Sequence, residues 1–145
     1  MKAKLNHIGV VVHDILETSQ LLRIIGLKQL TKPEPDPIQK VSACFLAGGE
    51  EQGVHIELLE PTDDTSPIAK FLTNRGGGLH HLCFEVDDIE EMTERLEQEG
   101  FQVVSPPTEC VGYDKSFNLK GNEATRISFL LLPNKLLIEL LQKGA

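Results

Sequence analysis

Two short segments of the chain are predicted to be strands because every second residue in them is apolar. Such alternation is typical of a strand with one covered face. The apolar residues are Ile8, Val10 and Val12 in the first segment and Leu82, Phe84 and Val86 in the second. A helix is predicted after each strand, because each strand is followed by a helix-capping pair three residues apart. The pairs are Asp14 with Glu17 and Asp88 with Glu91.

These segments belong to two copies of one structural unit. A gapless match joins HIGVVVHDILETSQLLRIIGLKQL, beginning at His7, to HLCFEVDDIEEMTERLEQEGFQVV, beginning at His81, at an offset of 81 − 7 = 74. A second match joins VHIELLEP around Glu57 to LLIELLQK around Glu139, at an offset of 139 − 57 = 82. Self-similarity of this kind indicates a duplicated supersecondary unit. The second copy carries 82 − 74 = 8 extra residues.

Each copy is predicted to contain one strand, one helix and about three further strands. In the first copy the later strands are VSACFLAG and VHIELLE, preceded by KPEPDP, which we expect to be mobile. The extra residues of the second copy fall between Gly100 and Leu136, where TECVGYDKSFNLKGNEAT is predicted to be a long polar loop and LLLPNK a turn. We therefore expect an α+β fold in a single domain over residues 1–145, with βαβββ modules at about 4–62 and 78–143.

Composition narrows the classes of function. The 145 residues suffice for one domain with a buried core, so the chain needs no metal merely to fold. A net charge of −8, no tryptophan and a single tyrosine disfavour nucleic acid as a partner. The N-terminal MKAKLNHIGVVVHD resembles neither a signal peptide nor a membrane span, so we expect a cytoplasmic protein without membrane association. The three separated cysteines, Cys44, Cys83 and Cys110, are expected to be reduced.

A metal centre is predicted from the polar residues within the strands. The apolar residues of both first strands have one parity, so His7 and His81 should project from the opposite face. In both last strands Ile and Leu residues take the helix-facing positions, which leaves Glu57 and Glu139 on the face of the histidines. If a pseudo-twofold axis relates the copies, these faces meet as a curved mixed sheet around a cavity with two imidazoles and two carboxylates.

One divalent ion would suit these donors. Burying two carboxylates without a partner is costly, whereas a divalent cation neutralises both. Two nitrogen and two oxygen donors suit Zn, Co, Ni, Mn or Fe(II), and an octahedral ion would keep two positions for water or substrate. His80 is an alternative ligand to His81, but it breaks the repeat and has the apolar parity. His13 is expected in a solvated loop, and His55 is expected to support the ligands or to be exposed.

This pattern resembles the vicinal oxygen chelate superfamily, which includes glyoxalases, bleomycin resistance proteins and extradiol dioxygenases. Its members pair βαβββ modules around a metal bound by His, Glu or Gln, His and Glu in this chain order. Within it, the stretches most similar to methylmalonyl-CoA epimerases are LNHIGVVV, IELLEP, SPIAKFLTNRGGGLHHLCFEVDDIE and LLIEL. The metal ligands that the resemblance implies are His7, Glu57, His81 and Glu139.

The same resemblance implies a chemistry and an assembly. It implies a homodimeric isomerase that moves an α-proton of a small-molecule substrate, an acyl-CoA thioester, through a metal-stabilised enolate. Glu139 and Glu57 are the candidate catalytic groups, since they come from opposite copies and can flank the reacting carbon. The strand VSACFLAG carries no carboxylate, although some epimerases place a general base there.

The extra residues of the second copy supply the candidate substrate contacts. Epimerases usually have a short glycine-rich loop before their last strand, whereas this chain has VGYDKSFNLKGNEATRISFLLLPNK. An acidic protein that holds an anionic CoA needs local cations, and the best-placed candidates are Lys115, Lys120 and Arg126. Tyr113 is predicted to close over the ligand as part of a loop lid.

Three other functions share parts of this pattern. A glyoxalase I-type lyase, which acts on a glutathione hemithioacetal, has the same tetrad, but SPIAKFL and GGGLHH favour the epimerase. An extradiol dioxygenase is disfavoured because its iron triad has one carboxylate rather than two. A non-catalytic small-molecule-binding protein of the bleomycin-resistance kind is disfavoured by the presence of the two histidines and two glutamates, because such proteins are expected to bind no metal.

Overall fold

The computed structural model describes residues 2–144 and has the α+β architecture expected from the sequence. The chain divides into two compact units. The first unit contains residues 7–80, and the second contains residues 2–6 together with residues 81–144. No helix in the described part of the chain is long and apolar enough to cross a membrane.

The first unit contains one βαβββ module and an additional helix. Its elements are β1 (Ala3–Val11, which enters this unit at His7), α1 (Ile15–Ile25), β2 (Glu34–Asp36), β3 (Val41–Ala47), β4 (His55–Pro61) and α2 (Ala69–Arg75). Its strands are ordered β2-β3-β4-β1. β1 is parallel to β4, whereas β3 is antiparallel to both β2 and β4. The first and last strands of the module are therefore neighbours.

The second unit repeats this arrangement. Its elements are β5 (Gly78–Val86, which enters this unit at His81), α3 (Ile89–Gln98), β6 (Gln102–Glu109), α4 (Val111–Ser116), β7 (Arg126–Leu131) and β8 (Leu137–Gln142). Its strands are ordered β5-β8-β7-β6, with β5 parallel to β8 and the other neighbours antiparallel. The predicted order of one strand, one helix and three strands is thus confirmed in both copies.

The carboxylates predicted to cap the two module helices do so. Asp14 accepts hydrogen bonds from the backbone N–H groups of Leu16 and Glu17, both at 3.0 Å. Asp88 accepts one from the N–H of Glu91, also at 3.0 Å. These bonds satisfy donors of the first turn that have no partner within the helix.

Different helices cover the two faces of the sheet in the first unit. α1 covers one face, where the buried cluster contains Ile15, Cys44, Leu46 and Leu58. α2 lies over the other face, where Phe71 and Leu72 pack against a cluster of Val11, Leu59 and Ile68. The chain leaves α2 through Gly76, Gly77 and Gly78, all with positive φ. A Cβ at Gly77 would lie 2.6 Å from the Val11 carbonyl oxygen, so this close approach requires glycine.

α3 covers one face of the sheet in the second unit. The buried cluster beneath it contains Val86, Ile89, Leu130 and Leu140. A buried hydrogen bond of 3.0 Å joins the hydroxyls of Thr93 and Ser128 in the same interface. All seven carboxylate residues between positions 87 and 99 are exposed, against one arginine in that segment. The outer surface of α3 is therefore strongly acidic.

KPEPDP was expected to be mobile, and the structure corrects this. The segment contains β2, which pairs with β3 through Glu34–Ala43, Pro35–Ser42 and Asp36–Val41. Proline has no N–H to donate, but β2 is the edge strand of its unit, where one side needs no partner.

The polar loop predicted in the second copy is also partly regular. β6 extends to Glu109 and α4 follows it. The apolar contact that favours α4 is between Tyr113 and Phe117, four residues apart, whose ring centroids are separated by 4.9 Å. The Asp114 carboxylate accepts hydrogen bonds from the N–H and hydroxyl of Thr125, which tie the helix to the start of β7. Two aromatic residues in a polar stretch were too weak a pattern to predict this helix.

Candidate metal centre

The first unit brings one imidazole and one carboxylate together. His7 comes from β1 and Glu57 from β4, its parallel neighbour. His7 Nε2 lies 3.4 Å from Glu57 Oε1, and the two side chains are 2% and 15% exposed. The residue of β1 directly beside Glu57 is Gly9, so β1 presents no side chain next to that carboxylate.

The ring of Phe45 borders this pair. Phe45 on β3 is the register partner of Glu57. It packs edge-on against His7, with ring centroids 5.2 Å apart and an interplanar angle of 85°. Such an edge-to-face contact is favourable in one ring orientation, so it helps to hold the imidazole with Nε2 toward the carboxylate.

The second unit contains an equivalent pair. His81 comes from β5 and Glu139 from β8, and His81 Nε2 lies 3.3 Å from Glu139 Oε1. These side chains are 5% and 9% exposed. Phe129 on β7 is the register partner of Glu139 and packs edge-on against His81, at 6.4 Å and 88°. The residue of β5 directly beside Glu139 is Cys83, which is fully buried.

The glutamate of each pair lies on the sheet face predicted from the sequence. Each is flanked in its strand by apolar residues that pack with the module helix. These flanking residues are Ile56 and Leu58 in β4 and Ile138 and Leu140 in β8. Because successive side chains alternate, Glu57 points away from α1 and Glu139 away from α3.

The spacing of each pair fits metal donors. A good N–H···O hydrogen bond has heavy atoms about 2.9 Å apart. Two ligands each about 2.1 Å from one ion, at an angle between octahedral and tetrahedral, lie roughly 3.0–3.4 Å apart. The nitrogen-to-oxygen distances of 3.4 Å and 3.3 Å agree with the latter arrangement. An imidazole and a carboxylate at this spacing suit two of the donors of a divalent cation. We call the pair His7–Glu57, or the pair His81–Glu139, a half-site.

Comparison with known proteins now gives the family. The model of the glyoxalase/bleomycin resistance protein/dioxygenase superfamily matches residues 6–117. The chain belongs to this superfamily. The match begins one residue before His7 and includes both half-sites except Glu139.

Individual members of the superfamily resemble the chain over most of its length. An ethylmalonyl-CoA/methylmalonyl-CoA epimerase of Cereibacter sphaeroides is 33% identical over 113 residues, which cover 77% of this chain and 82% of the relative. A solved structure of a hypothetical protein from Bacillus halodurans C-125 has a TM-score of 0.79 at 33% identity and covers 100% of this chain and 97% of its own. A methylmalonyl-CoA epimerase in complex with methylmalonyl-CoA and NH4+ has a TM-score of 0.77 at 25% identity, with the same coverage.

Mitochondrial methylmalonyl-CoA epimerases also match, at 31–33% identity. They are longer proteins, and the chain covers between 62% and 66% of their length.

The other histidines of this superfamily member have different surroundings. His80 packs edge-on against Phe71 of α2, with ring centroids 5.2 Å apart. His55 Nε2 lies 2.7 Å from the carbonyl oxygen of Glu51. His13 is exposed, as expected. The apolar contact of His80 supports the choice of His81 as the ligand.

Cys44, Cys83 and Cys110 form no disulfide with one another, in agreement with the expectation of reduced thiols. Cys44 is fully buried in the cluster under α1. Burial raises the pKa of its thiol to about 11, and the nearby charge of Glu57 acts in the same direction. A thiol with so high a pKa is a poor nucleophile at neutral pH, so Cys44 has a packing role.

The four predicted substrate residues differ in burial and in the sheet face toward which they point. Tyr113 is buried, with its hydroxyl 3.5 Å from the Asn6 side-chain amide, whereas Lys115 on the same helix is exposed. Lys120 is exposed in the segment after α4. Arg126 has the strand parity of Ser128, which faces α3, and it forms an ion pair with Glu90 of that helix. Arg126 thus points to the sheet face opposite Glu139.

Phe45 and Phe129 were not identified from the sequence. They stand at equivalent positions in VSACFLA and RISFLL, at an offset of 129 − 45 = 84. The shared Phe-Leu was the available signal. Neither sequence match contains this Phe-Leu pair, because its offset differs from both 74 and 82. The offset differs because β6 and α4 lengthen the second copy, whereas the hairpin between β7 and β8 is shorter than that between β3 and β4.

Proposed function

We propose that the chain is a divalent-metal-dependent epimerase of an acyl-CoA thioester. In this proposal one ion is shared by His7, Glu57, His81 and Glu139. The observation that carries it is the duplicated half-site: a buried imidazole lies 3.3–3.4 Å from a carboxylate in each unit. The epimerase of Cereibacter sphaeroides, at 33% identity, supports the reaction class.

The residues of the chain would divide the chemistry among them. A bound divalent ion supplies Lewis acidity toward two nearby carbonyl oxygens of a substrate, which lowers the barrier to loss of the α-proton. Glu57 and Glu139 are the groups that take up and return the proton. Epimerisation needs a proton acceptor on one side of the carbon and a donor on the other, and two repeats can supply one each. Phe45 and Phe129 would keep the imidazoles oriented and exclude water.

The proposed substrate-binding residues all belong to the second unit. Tyr113 and Lys115 lie on α4, and we propose that Lys115 offsets an anionic group of the substrate while Tyr113 shapes the wall. Lys120 follows α4 and has the same proposed role. Arg126 stays a weaker candidate for direct contact, because its guanidinium is paired with Glu90. A homodimeric assembly and a cytoplasmic location remain predictions.

The proposal is tested by metal analysis together with isotope exchange. The purified protein is expected to hold one divalent ion per chain and to exchange the α-proton of methylmalonyl-CoA with deuterium from solvent, followed by mass spectrometry. His81→Ala should abolish both. His80→Ala is the matched control, since it changes a neighbouring histidine that packs against Phe71, and it should retain both.

Three outcomes would overturn parts of the proposal. Turnover of a glutathione hemithioacetal, without exchange in any CoA thioester, would assign a glyoxalase I-type lyase instead. Loss of the ion in His80→Ala but not in His81→Ala would refute the ligand assignment. A metal-free protein that binds a small molecule without changing it would place the chain among the non-catalytic members.

A further inference from the structure

Cys83 lies beside Glu139, a proposed donor of the second half-site. It follows His81 by two residues in β5, so both side chains share one sheet face. Its register partner in β8 is Glu139. The Cys83 sulfur and a carboxylate oxygen of Glu139 lie within 4.8 Å of each other. His81, Cys83 and Glu139 are each more than nine-tenths buried, and His81 and Glu139 already have the spacing of metal donors.

The repeat shows that this sulfur is not required by the fold. The equivalent of Cys83 is Gly9, since 83 − 9 = 74, and Gly9 has the same register relation to Glu57. The first half-site therefore forms its imidazole–carboxylate pair with no side chain at this position. Cys44 gives a second contrast, because it is equally buried but belongs to the cluster under α1.

We infer that the Cys83 sulfur is an additional ligand of the ion while no substrate is bound, that a substrate oxygen replaces it, and that it sets the metal preference of this site. The inference rests on the proposed function, because it adds a donor to the same ion. Thiolate ligands favour Zn²⁺ and Co²⁺ over the harder Mg²⁺ and Mn²⁺. On coordination the sulfur–hydrogen bond breaks and the proton passes to solvent, while the sulfur lone pair forms the bond to the ion. No oxidant or reductant is needed.

The test uses Co²⁺, whose bond to a thiolate gives a sulfur-to-metal charge-transfer band in the near ultraviolet. Metal-free protein titrated with Co²⁺ should develop this band in proportion to the ion bound. Cys83→Ser, which keeps the shape but offers a harder oxygen, should bind Co²⁺ without the band. Its preference for Zn²⁺ over Mn²⁺ in competition should fall by about tenfold or more. Cys44→Ala is the matched control and should keep both the band and the preference.

The outcomes separate this inference from the proposed function. Stoichiometric Co²⁺ without the band in the unmodified protein would overturn the role of Cys83 and leave the epimerase proposal standing. Failure to bind any divalent ion would overturn both. The unmodified protein decides the point even if Cys83→Ser folds poorly. A band that survives in folded Cys83→Ala and disappears in Cys44→Ala would also refute the assignment.

Discussion

The two half-sites contain the same pair of residue types, one histidine and one glutamate, and differ in the residues that surround the pair. Beside the carboxylate, the first has Gly9 and the second Cys83. The carboxylate beside the glycine is the more exposed, at 15% against 9% for the other. A duplicated unit can thus keep its imidazole–carboxylate pair while one copy has no side chain beside the carboxylate and the other has a thiol there.

A second difference between the units lies two residues after Gly9 in β1 and two residues after Cys83 in β5. Val11 and Glu85 are equivalent, since 85 − 11 = 74. Val11 lies in the apolar cluster beneath α2. Glu85 instead accepts a hydrogen bond of 3.3 Å from Asn6, whose amide also reaches Tyr113 of α4. The short helix of the first unit therefore covers apolar residues, and that of the second covers polar ones.

The largest expected effect of this asymmetry concerns the carboxylates. Glu139→Gln should lower the rate of α-proton exchange by about 10²–10⁴-fold, the usual contribution of a general acid or base. Glu57→Gln should lower it by less, about tenfold, because Glu139 can still exchange the proton from its own side of the carbon and an amide oxygen can still coordinate the ion. Exchange rates at saturating metal, with metal content measured in parallel, provide the check. Equal losses in both variants would show that the half-sites are catalytically equivalent.

The glycine turn after α2 should be the most sensitive backbone position of the first unit. Gly77→Ala would place a methyl group 2.6 Å from the Val11 carbonyl oxygen at a φ of 92°, and should lower the free energy of unfolding by about 3 kcal/mol. Gly26→Ala is the control, since its φ is also positive but no atom lies within 4 Å, and it should cost about 1–2 kcal/mol. Chemical denaturation measures both. Equal costs would mean that the close approach at Gly77 is unimportant.

The ring contacts should have smaller effects. Phe45→Leu removes an edge-to-face contact at 5.2 Å, whereas Phe129→Leu removes one at 6.4 Å. Such contacts contribute about 0.5–1.5 kcal/mol, so we expect Phe45→Leu to weaken metal binding by up to about tenfold and Phe129→Leu by less. Calorimetric titration with Zn²⁺ ranks the two variants. The reverse ranking would contradict the idea that the closer ring orients its histidine more firmly.

The helix caps should give the smallest difference. Asp14→Ala removes two hydrogen bonds to the first turn of α1, and Asp88→Ala removes one from α3. A lost cap costs about 1 kcal/mol, so thermal unfolding should show both variants destabilised and Asp14→Ala somewhat more. Neither change should alter metal content.

The repeat made the fold and the sheet face of the four candidate donors predictable, because strand parity alone assigns a residue to a face. A helix was foreseen where a capping carboxylate precedes an apolar stripe, as after Asp88. Contacts between strands distant in sequence were not foreseeable in this way. Phe45 and Phe129 reach their histidines through strand register, which depends on hairpin length. The ion pair of Arg126 with Glu90 likewise depends on how α3 packs on β7.

The acidic outer surface of α3 has a consequence for how quickly an anionic substrate arrives. Its carboxylates repel a phosphate-bearing ligand over roughly the Debye length, which is about 30 Å at 0.01 M salt and 8 Å at 0.15 M. Added salt should therefore accelerate encounter with a CoA thioester, whereas cationic proteins show the opposite dependence. Stopped-flow measurements at increasing ionic strength would show how steeply the association rate rises with salt. Replacing Glu91 and Glu94 by glutamine should make this dependence weaker.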